Sequence, residues 1–228
     1  MSGYIIYIFI FFILFGFVFS SILEYLNSKN WNDSIPDVLK DFYKESDYKR
    51  AKNYKIDRDK VSLISSLLST SITIVFIVSG LYGKISDFSI YYFDSIFLQS
   101  AAFFLFFLII STTISLPISY YSVFTIEEKY GFNKTTKITF LKDKIKGLLM
   151  SLIIGGFILF VSIQIYILFG ANFWLWLWLF LSVFLILTNM FYTTLIVPIF
   201  NKLSPLEEGS LKNKIEEYSK KIGYSLDK

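Results

Sequence analysis

Five uncharged, strongly apolar runs constrain the fold of this chain more than any other feature of its sequence. They cover residues 4–23, 61–81, 96–121, 147–169 and 173–200. Each is long enough to cross a bilayer core as a helix, which takes about 17 to 25 residues. Because hydrocarbon offers no partner to backbone N–H and C=O groups, such runs must be helical. The sequence therefore predicts an all-α polytopic membrane protein with about five transmembrane helices.

Positive charge lies almost entirely on one side of this predicted membrane protein. All but one of the 22 Lys and Arg residues lie in segments 24–60, 122–146 and 201–228. An excess of Lys and Arg marks the cytoplasmic side, so we predict an outer N-terminus and a cytoplasmic C-terminus. Trp174 and Trp178 then fall at the outer headgroup layer, where amphipathic rings are enriched. The lipid bilayer is the predicted partner, and nucleic acid is disfavoured because Asp and Glu accompany the cations.

The first apolar run could instead be a secretory signal peptide. No basic residue precedes it, and it exceeds the apolar region of about 7 to 15 residues that signal peptides usually have. Its exit, Phe-Ser-Ser-Ile-Leu-Glu, also lacks a small-x-small cleavage pattern. We therefore expect the run to be retained as a membrane span.

The absence of histidine and cysteine restricts the chemistry open to this chain. A zinc site would have to use carboxylates alone, although zinc sites rely on His and Cys. A serine nucleophile would lack its usual histidine base. All charged residues also lie outside the five runs, whereas ion paths and proton relays usually carry intramembrane charge. We therefore expect no cofactor or catalytic site in this chain, and a small-molecule transporter is disfavoured.

The segment 117–136 is too rich in aromatic and charged residues for a simple linker between spans. Glu127 and Glu128 are adjacent, so on a helix they point about 100° apart and cannot act together on one substrate atom. They form either a solvated face or a surface that docks a partner. A helix stop is predicted just after them, with glycine in the left-handed conformation. The candidate docking residues are Glu127, Glu128, Gly131, Phe132 and Asn133.

Two further helices are predicted on the cytoplasmic side. Segment 32–43 has a cap residue, an early proline and an acidic first turn, which predict a short helix followed by a cytoplasmic extension of the second span. Ser204 and Glu207 form a capping box at the start of a second, amphipathic helix, which Gly223 ends. Its apolar face is made by Leu211, Ile215, Tyr218 and Ile222.

Two stretches carry a specific pattern. Residues 126–133 read Ile-Glu-Glu-Lys-Tyr-Gly-Phe-Asn, and residues 198–211 read Pro-Ile-Phe-Asn-Lys-Leu-Ser-Pro-Leu-Glu-Glu-Gly-Ser-Leu. They resemble the N-terminal region of the CAAX prenyl protease 1 family of membrane zinc metallopeptidases, and residues 35–54 resemble it more loosely. The resemblance implies a seven-span helical barrel around a chamber. It also implies zinc ligands from an HExxH helix and a more distal Glu, all located after the region matched here.

From this resemblance we expect residues 1–203 to be the transmembrane region and residues 204–228 to begin a truncated cytoplasmic peptidase domain. The implied function is CAAX-box protein processing by a zinc metalloendopeptidase, although this chain alone is expected to be inactive. Zinc is expected for a complete family member. The expected partner is a separately encoded catalytic half, or a prenylated or other peptide substrate.

The alternative function is a non-enzymatic membrane scaffold or inactive relative that binds a partner protease or a lipidated peptide. For the host membrane, we expect a bacterial plasma membrane in preference to the endoplasmic reticulum or inner nuclear membrane.

Overall fold

The computed structural model describes residues 2–31, 34–202 and 204–224. The helices are α1 (Ser2–Lys29), α2 (Glu45–Val78), α3 (Leu81–Tyr92), α4 (Ile96–Tyr121), α5 (Lys137–Phe169), α6 (Phe173–Phe191), α7 (Val197–Phe200) and α8 (Ser210–Ile222). The described residues contain no strand, which confirms the all-α prediction. The chain divides into two compact units, Met1–Lys137 and Ile138–Lys228.

Four continuous helical stretches of the described residues are long and apolar enough to cross a membrane: Tyr4–Lys29, Glu45–Val78, Ile96–Glu127 and Lys137–Phe200. The last stretch has 64 residues and contains two of the predicted spans. A 3₁₀ turn at Gly170–Asn172 separates α5 from α6, and Gly170 takes the left-handed φ of 51°. Phe157 of α5 lies 6.1 Å from the rings of Phe180 and Phe184 of α6. The two helices therefore fold back on each other as a hairpin of two spans.

In the first unit, α1 packs along α2, and α3 packs on α4. The connection between the second and third runs folds as α3 rather than as an open loop, and its Ile85 and Ser89 are buried. Next to it, the ring of Tyr82 lies 5.9 Å from Phe76 of α2 and 5.0 Å from Phe107 of α4. This aromatic cluster holds α2, α3 and α4 together at the predicted outer end.

The short helix predicted in segment 32–43 is only a single 3₁₀ turn, Asp37–Leu39. Asn32 and Asp33 of this segment lie outside the described residues. Lys44 is extended, which ends this segment before α2 begins at Glu45. A helix of so few residues is marginal by itself, since isolated helices shorter than about 12 to 15 residues gain too little from propagation. The predicted extension of the second span is confirmed, because α2 runs unbroken from Glu45 through Val78.

The helix predicted to begin at Ser204 begins instead at Ser210, with Gly209 at its N-cap, so the capping box is wrong. A helix starting at Ser204 would have carried Gly209 in its interior, where glycine costs about 1 kcal/mol relative to alanine. The predicted end is confirmed: Gly223 has a φ of 71°, and Lys220 and Lys221 occupy the last turn. Within this unit the apolar face of α8 is exposed at Leu211, Ile215, Tyr218 and Ile222.

Candidate functional site

The extension of α2 beyond its apolar run places three functional side chains on one helical face. Arg50, Tyr54 and Asp57 follow at spacings of four and three residues, which line up on an α-helix. Ion pairs between residues four apart support this exposed part of the helix: Lys49 lies 3.0 Å from Glu45, and Lys55 pairs with Asp59. The face is therefore presented beyond the membrane on a continuous helix.

The opposing surface comes from the end of α4. The helix continues past Pro117 and passes into a π-helix at Ser122–Glu127. The helix then stops at Gly131, whose φ is 72°. The N–H of Phe132 donates to the carbonyl of Glu127 at 2.8 Å, and the N–H of Gly131 donates to that of Glu128 at 2.9 Å. These two bonds define a Schellman motif, which confirms the predicted left-handed glycine stop.

Asp57 joins the two surfaces. Its Oδ2 atom accepts hydrogen bonds from Lys129 Nζ at 2.7 Å and from the Tyr130 hydroxyl at 2.8 Å. The Lys129 ammonium, followed by the Tyr130 hydroxyl, lowers the pKa of Asp57 from 3.8 to about 2. Burial raises the pKa of Tyr130, and its bond to Asp57 raises it further. Asp57 is therefore held as a carboxylate, with Tyr130 as its neutral donor.

A second link comes from Arg50. Its Nη2 donates to the backbone carbonyl of Tyr130, and its guanidinium lies 5.5 Å from the centre of the Phe132 ring. A Cβ added to Gly131 would lie 2.8 Å from that same Nη2. Glycine is therefore favoured at this position by its backbone conformation, and a side chain here would displace the end of Arg50.

Aromatic rings complete the contact. The Tyr54 ring meets Tyr130 edge to face at 5.4 Å and Phe132 at 4.8 Å. Tyr130 is buried, while Phe132 keeps 51% of its surface exposed. We call this set, Arg50, Tyr54, Asp57, Lys129 and Tyr130, the latch. It binds the α2 extension to the end of α4, as expected for two segments on the same side of the membrane.

The five predicted docking residues differ in their contacts and in their exposure to solvent. Gly131 and Phe132 lie against the latch. Asn133 accepts a bond from the Thr135 N–H at 2.7 Å, which shapes the following turn. The Tyr54 hydroxyl raises the pKa of Arg58, and Glu127, which is half-buried, raises it to a smaller extent. Glu128 is exposed. Their role in docking stays a prediction.

Sequence reasoning missed Arg50, Tyr54 and Asp57 as partners of the turn. The sequence predicted their segment only as a cytoplasmic extension of the second span. The available signal was the spacing of a cation, an aromatic ring and a carboxylate on one face of a helix. It could not identify the partner, because the hydrogen bond from Tyr130 to Asp57 spans 73 residues of sequence.

The residues of this chain do not fit a zinc ion. The sequence has no His and no Cys, which supply most protein ligands of zinc. No three His, Cys, Asp or Glu residues cluster as a metal site in the part of the chain that the structure describes. The latch carboxylate is already occupied by Lys129 and Tyr130. The latch is therefore a structural contact between α2 and the end of α4.

Comparison with known proteins gives a consistent result. Residues 24–202 match the family model described as CAAX prenyl protease N-terminal, five membrane helices. That description agrees with the predicted number of about five membrane helices, and the match begins after the first predicted run, residues 4–23. The inside–outside orientation still rests on the charge distribution.

Relatives match over most of this chain. CAAX prenyl protease 1 of Saccharomyces cerevisiae is 33% identical over 223 residues, which cover 93% of this chain and 49% of that protein. The CAAX prenyl protease 1 homolog of Homo sapiens is 31% identical over 201 residues, with coverages of 85% and 42%. The crystal structure of S. mikatae Ste24p is 33% identical with a TM-score of 0.86, covering 98% of this chain and 54% of that one. The chain thus spans about half the length of these relatives.

Proposed function

Since this chain belongs to the CAAX prenyl protease 1 family, we propose that it is the N-terminal membrane portion of a zinc metalloendopeptidase that processes CAAX-box proteins. It is a multi-pass integral membrane protein. The catalytic zinc helix of the proposed enzyme has the form HExxH, which requires two histidines. Because this chain contains none, the metal and its ligands must be supplied by residues beyond these 228.

The latch supports a more specific proposal for this membrane portion, namely that it docks the zinc-binding half. It fixes the turn after α4 to the α2 extension, outside the apolar run that begins at residue 61. Phe132 and Glu128 are exposed on this turn, and hydrogen bonds from Arg50 to the Tyr130 carbonyl and within the turn fix its backbone. We propose that this rigid surface docks the zinc-binding half, with the ring filling an apolar pocket and the carboxylates facing cations. A preorganised surface loses less conformational entropy when a partner binds.

The exposed apolar face of α8 supports a related proposal. We propose that residues 204–228 are the first part of the peptidase domain and that residues 1–203 are the membrane region. The side chains of Leu211, Ile215, Tyr218 and Ile222 are exposed within their own unit, so burial against further peptidase sequence would stabilise the helix.

The host membrane is part of the proposal too. The relatives compared above come from a yeast and a human source, so they give no support to the expectation of a bacterial plasma membrane. A eukaryotic membrane fits these matches better.

The first experiment is to read the coding sequence past codon 228, then to express this chain and any continuation separately. Each product is purified and assayed for bound zinc and for cleavage of a prenylated CAAX peptide, with and without a chelator. We expect an HExxH motif in the continuation, and chelator-sensitive cleavage only when it is present. Zinc-dependent cleavage by the 228 residues alone would contradict the proposal. A continuation of unrelated sequence would favour the scaffold alternative.

The docking surface is tested in the active product. Replacing Phe132 by alanine together with Glu128 by glutamine should lower cleavage at least fivefold while membrane insertion is retained. Glu45→Gln is the matched control, since Glu45 is an exposed carboxylate on α2 that pairs with Lys49 outside the docking surface. Equal activity of all three proteins would show that this surface does not dock the catalytic half.

A further inference from the structure

One lysine joins the two ends of the hairpin that α5 and α6 form in the second unit. Lys146 of α5 donates from Nζ to the backbone carbonyl of Ile199 in α7 at 2.8 Å. The same ammonium lies 5.8 Å from the centre of the Phe200 ring, within the range of a cation–π contact. We call Lys146, Ile199 and Phe200 the exit clamp, because the chain leaves the last apolar run there.

The exit clamp lies where the apolar runs of the hairpin begin and end. Lys146 is the last charged residue before the run 147–169, and Lys202 is the first charged residue after the run 173–200. Both ends of the hairpin therefore reach the predicted cytoplasmic boundary of the membrane at the clamp. Lysine suits this depth, because its apolar stem can lie along hydrocarbon while its ammonium group remains at the polar boundary.

The backbone of α7 by itself holds the exit weakly. This helix has only four residues and follows a π-helix at Tyr192–Ile196. Pro198 within it has no N–H to donate. The last carbonyls of a helix also lack partners inside the helix. The Asn201 N–H bonds one of them at 2.9 Å, and Lys146 bonds that of Ile199 while placing a cation at the negative end of the helix.

The position of the exit limits where the following helix can lie. Nine residues, 201–209, connect the exit clamp to α8. An extended chain spans at most about 3.3–3.6 Å per residue, so this connection reaches no further than about 30 Å. A fixed exit therefore confines the start of α8 to a region close to the base of α5. An exit that moves adds its own displacement to that range.

We propose that Lys146 is a positioning residue, which fixes the point where the chain leaves the membrane and thereby aligns the peptidase part with the membrane region. This rests on the proposed function above, in which α8 begins the peptidase domain. Lys146 touches neither zinc nor substrate in this role. It acts through the backbone of Ile199, so a donor of similar reach can replace it.

The first test measures the exit clamp in the full 228-residue chain, without any assay of activity. Because the chain has no cysteine, nitroxide labels attach only at the exposed positions Leu141→Cys and Lys202→Cys. Double electron–electron resonance in detergent then gives the distribution of distances between the two ends of the hairpin. We expect Lys146→Met, which keeps the stem but loses the donor, to widen this distribution at least twofold.

Two variants separate the hydrogen bond from the charge. Lys146→Arg should keep the narrow distribution, since its guanidinium also donates to a carbonyl. Lys142→Met removes the same charge from an exposed lysine one turn earlier on α5 and should change nothing. Equal widths for Lys146→Met and the unaltered chain would overturn the proposal. Equal widening by Lys146→Met and Lys142→Met would overturn it too, because charge alone would then be responsible.

The second test measures cleavage of a prenylated CAAX peptide by the product that includes the zinc-binding continuation. We expect Lys146→Met to lower kcat at least threefold with KM and bound zinc unchanged, because fewer molecules hold the two parts in alignment. Lys146→Arg should restore at least half of the loss. An unchanged kcat in Lys146→Met would overturn the positioning role. Absence of cleavage by the unaltered product would refute the proposed function instead, while the distance distributions still decide whether Lys146 fixes the exit.

Discussion

Replacing Gly131 by alanine tests how the latch is held together. Gly131 has a φ of 72°, and the left-handed conformation costs a residue with a Cβ about 1–2 kcal/mol. The new Cβ would lie 2.8 Å from Arg50 Nη2, and we expect the guanidinium to relieve this contact by moving away from the Tyr130 carbonyl. Loss of a hydrogen bond from a charged donor adds about 1.5–3 kcal/mol. We expect a total destabilisation of about 2.5–5 kcal/mol from these two effects.

Gly80→Ala is the matched control in the same unit. Gly80 has nearly the same backbone conformation, with a φ of 66°, but no atom lies within 4 Å of an added Cβ. It should therefore show only the backbone penalty of about 1–2 kcal/mol. The difference between the two variants isolates the contribution of Arg50.

Hydrogen–deuterium exchange in detergent micelles measures this difference locally. The Phe132 N–H bonds to the Glu127 carbonyl inside the turn, so its exchange reports on opening of the latch. Because 1.4 kcal/mol corresponds to a tenfold change, exchange at the Gly131→Ala turn should be accelerated about tenfold to a hundredfold more than at the Gly80→Ala turn. In an Arg50→Ala background this excess should vanish. Equal effects of the two glycine changes, or an excess that persists without Arg50, would refute the reasoning.

Three further predictions concern pH, the start of α8 and topology. Because the pKa of Asp57 is lowered from 3.8 to about 2, its hydrogen bonds stabilise the latch above about pH 4 and are lost as the pH falls toward 2. Hydrogen exchange at the latch should therefore rise over that pH range. Asp57→Asn should abolish this rise. Ser204→Ala should leave the circular dichroism and thermal unfolding unchanged, since α8 begins at Ser210, whereas loss of a true cap would cost about 1 kcal/mol. The chain has no cysteine, so a single introduced cysteine reports on its own position. In sealed right-side-out vesicles, Tyr91→Cys should react with an impermeant maleimide added outside, whereas Tyr224→Cys should react only after permeabilisation. The reverse pattern would contradict the predicted orientation.

Much of the fold follows from local sequence. The apolar runs predicted the membrane helices, because burial of backbone polar groups in hydrocarbon leaves no other choice. The left-handed stops at Gly131 and Gly223 were also predictable, since only glycine takes that conformation without strain. The starts of short polar helices were not. The signals at Ser204 and in segment 32–43 are worth about 1 kcal/mol each, and a nearby Gly209 or a lack of packing outweighs them.

The candidate site, too, was predictable from the sequence only in part. Sequence alone drew attention to Glu127, Glu128, Gly131, Phe132 and Asn133, because the segment is too aromatic for a linker. It could not predict that Asp57 and Arg50 hold that segment in place, since neither residue is adjacent to it in the chain. The pattern identified the turn, while the partner of the turn depends on how α2 and α4 pack.

The sequence by itself therefore determined the membrane spans, the predicted orientation, the helix stops and the absence of a zinc ligand set, because each depends on residue type within one short stretch. Only the tertiary structure decided that Asp57 is held as a carboxylate by Lys129 and Tyr130, and that Arg50 donates to the Tyr130 carbonyl. Those properties depend on distances between residues on different helices. Such distances are set by packing, which no local pattern records.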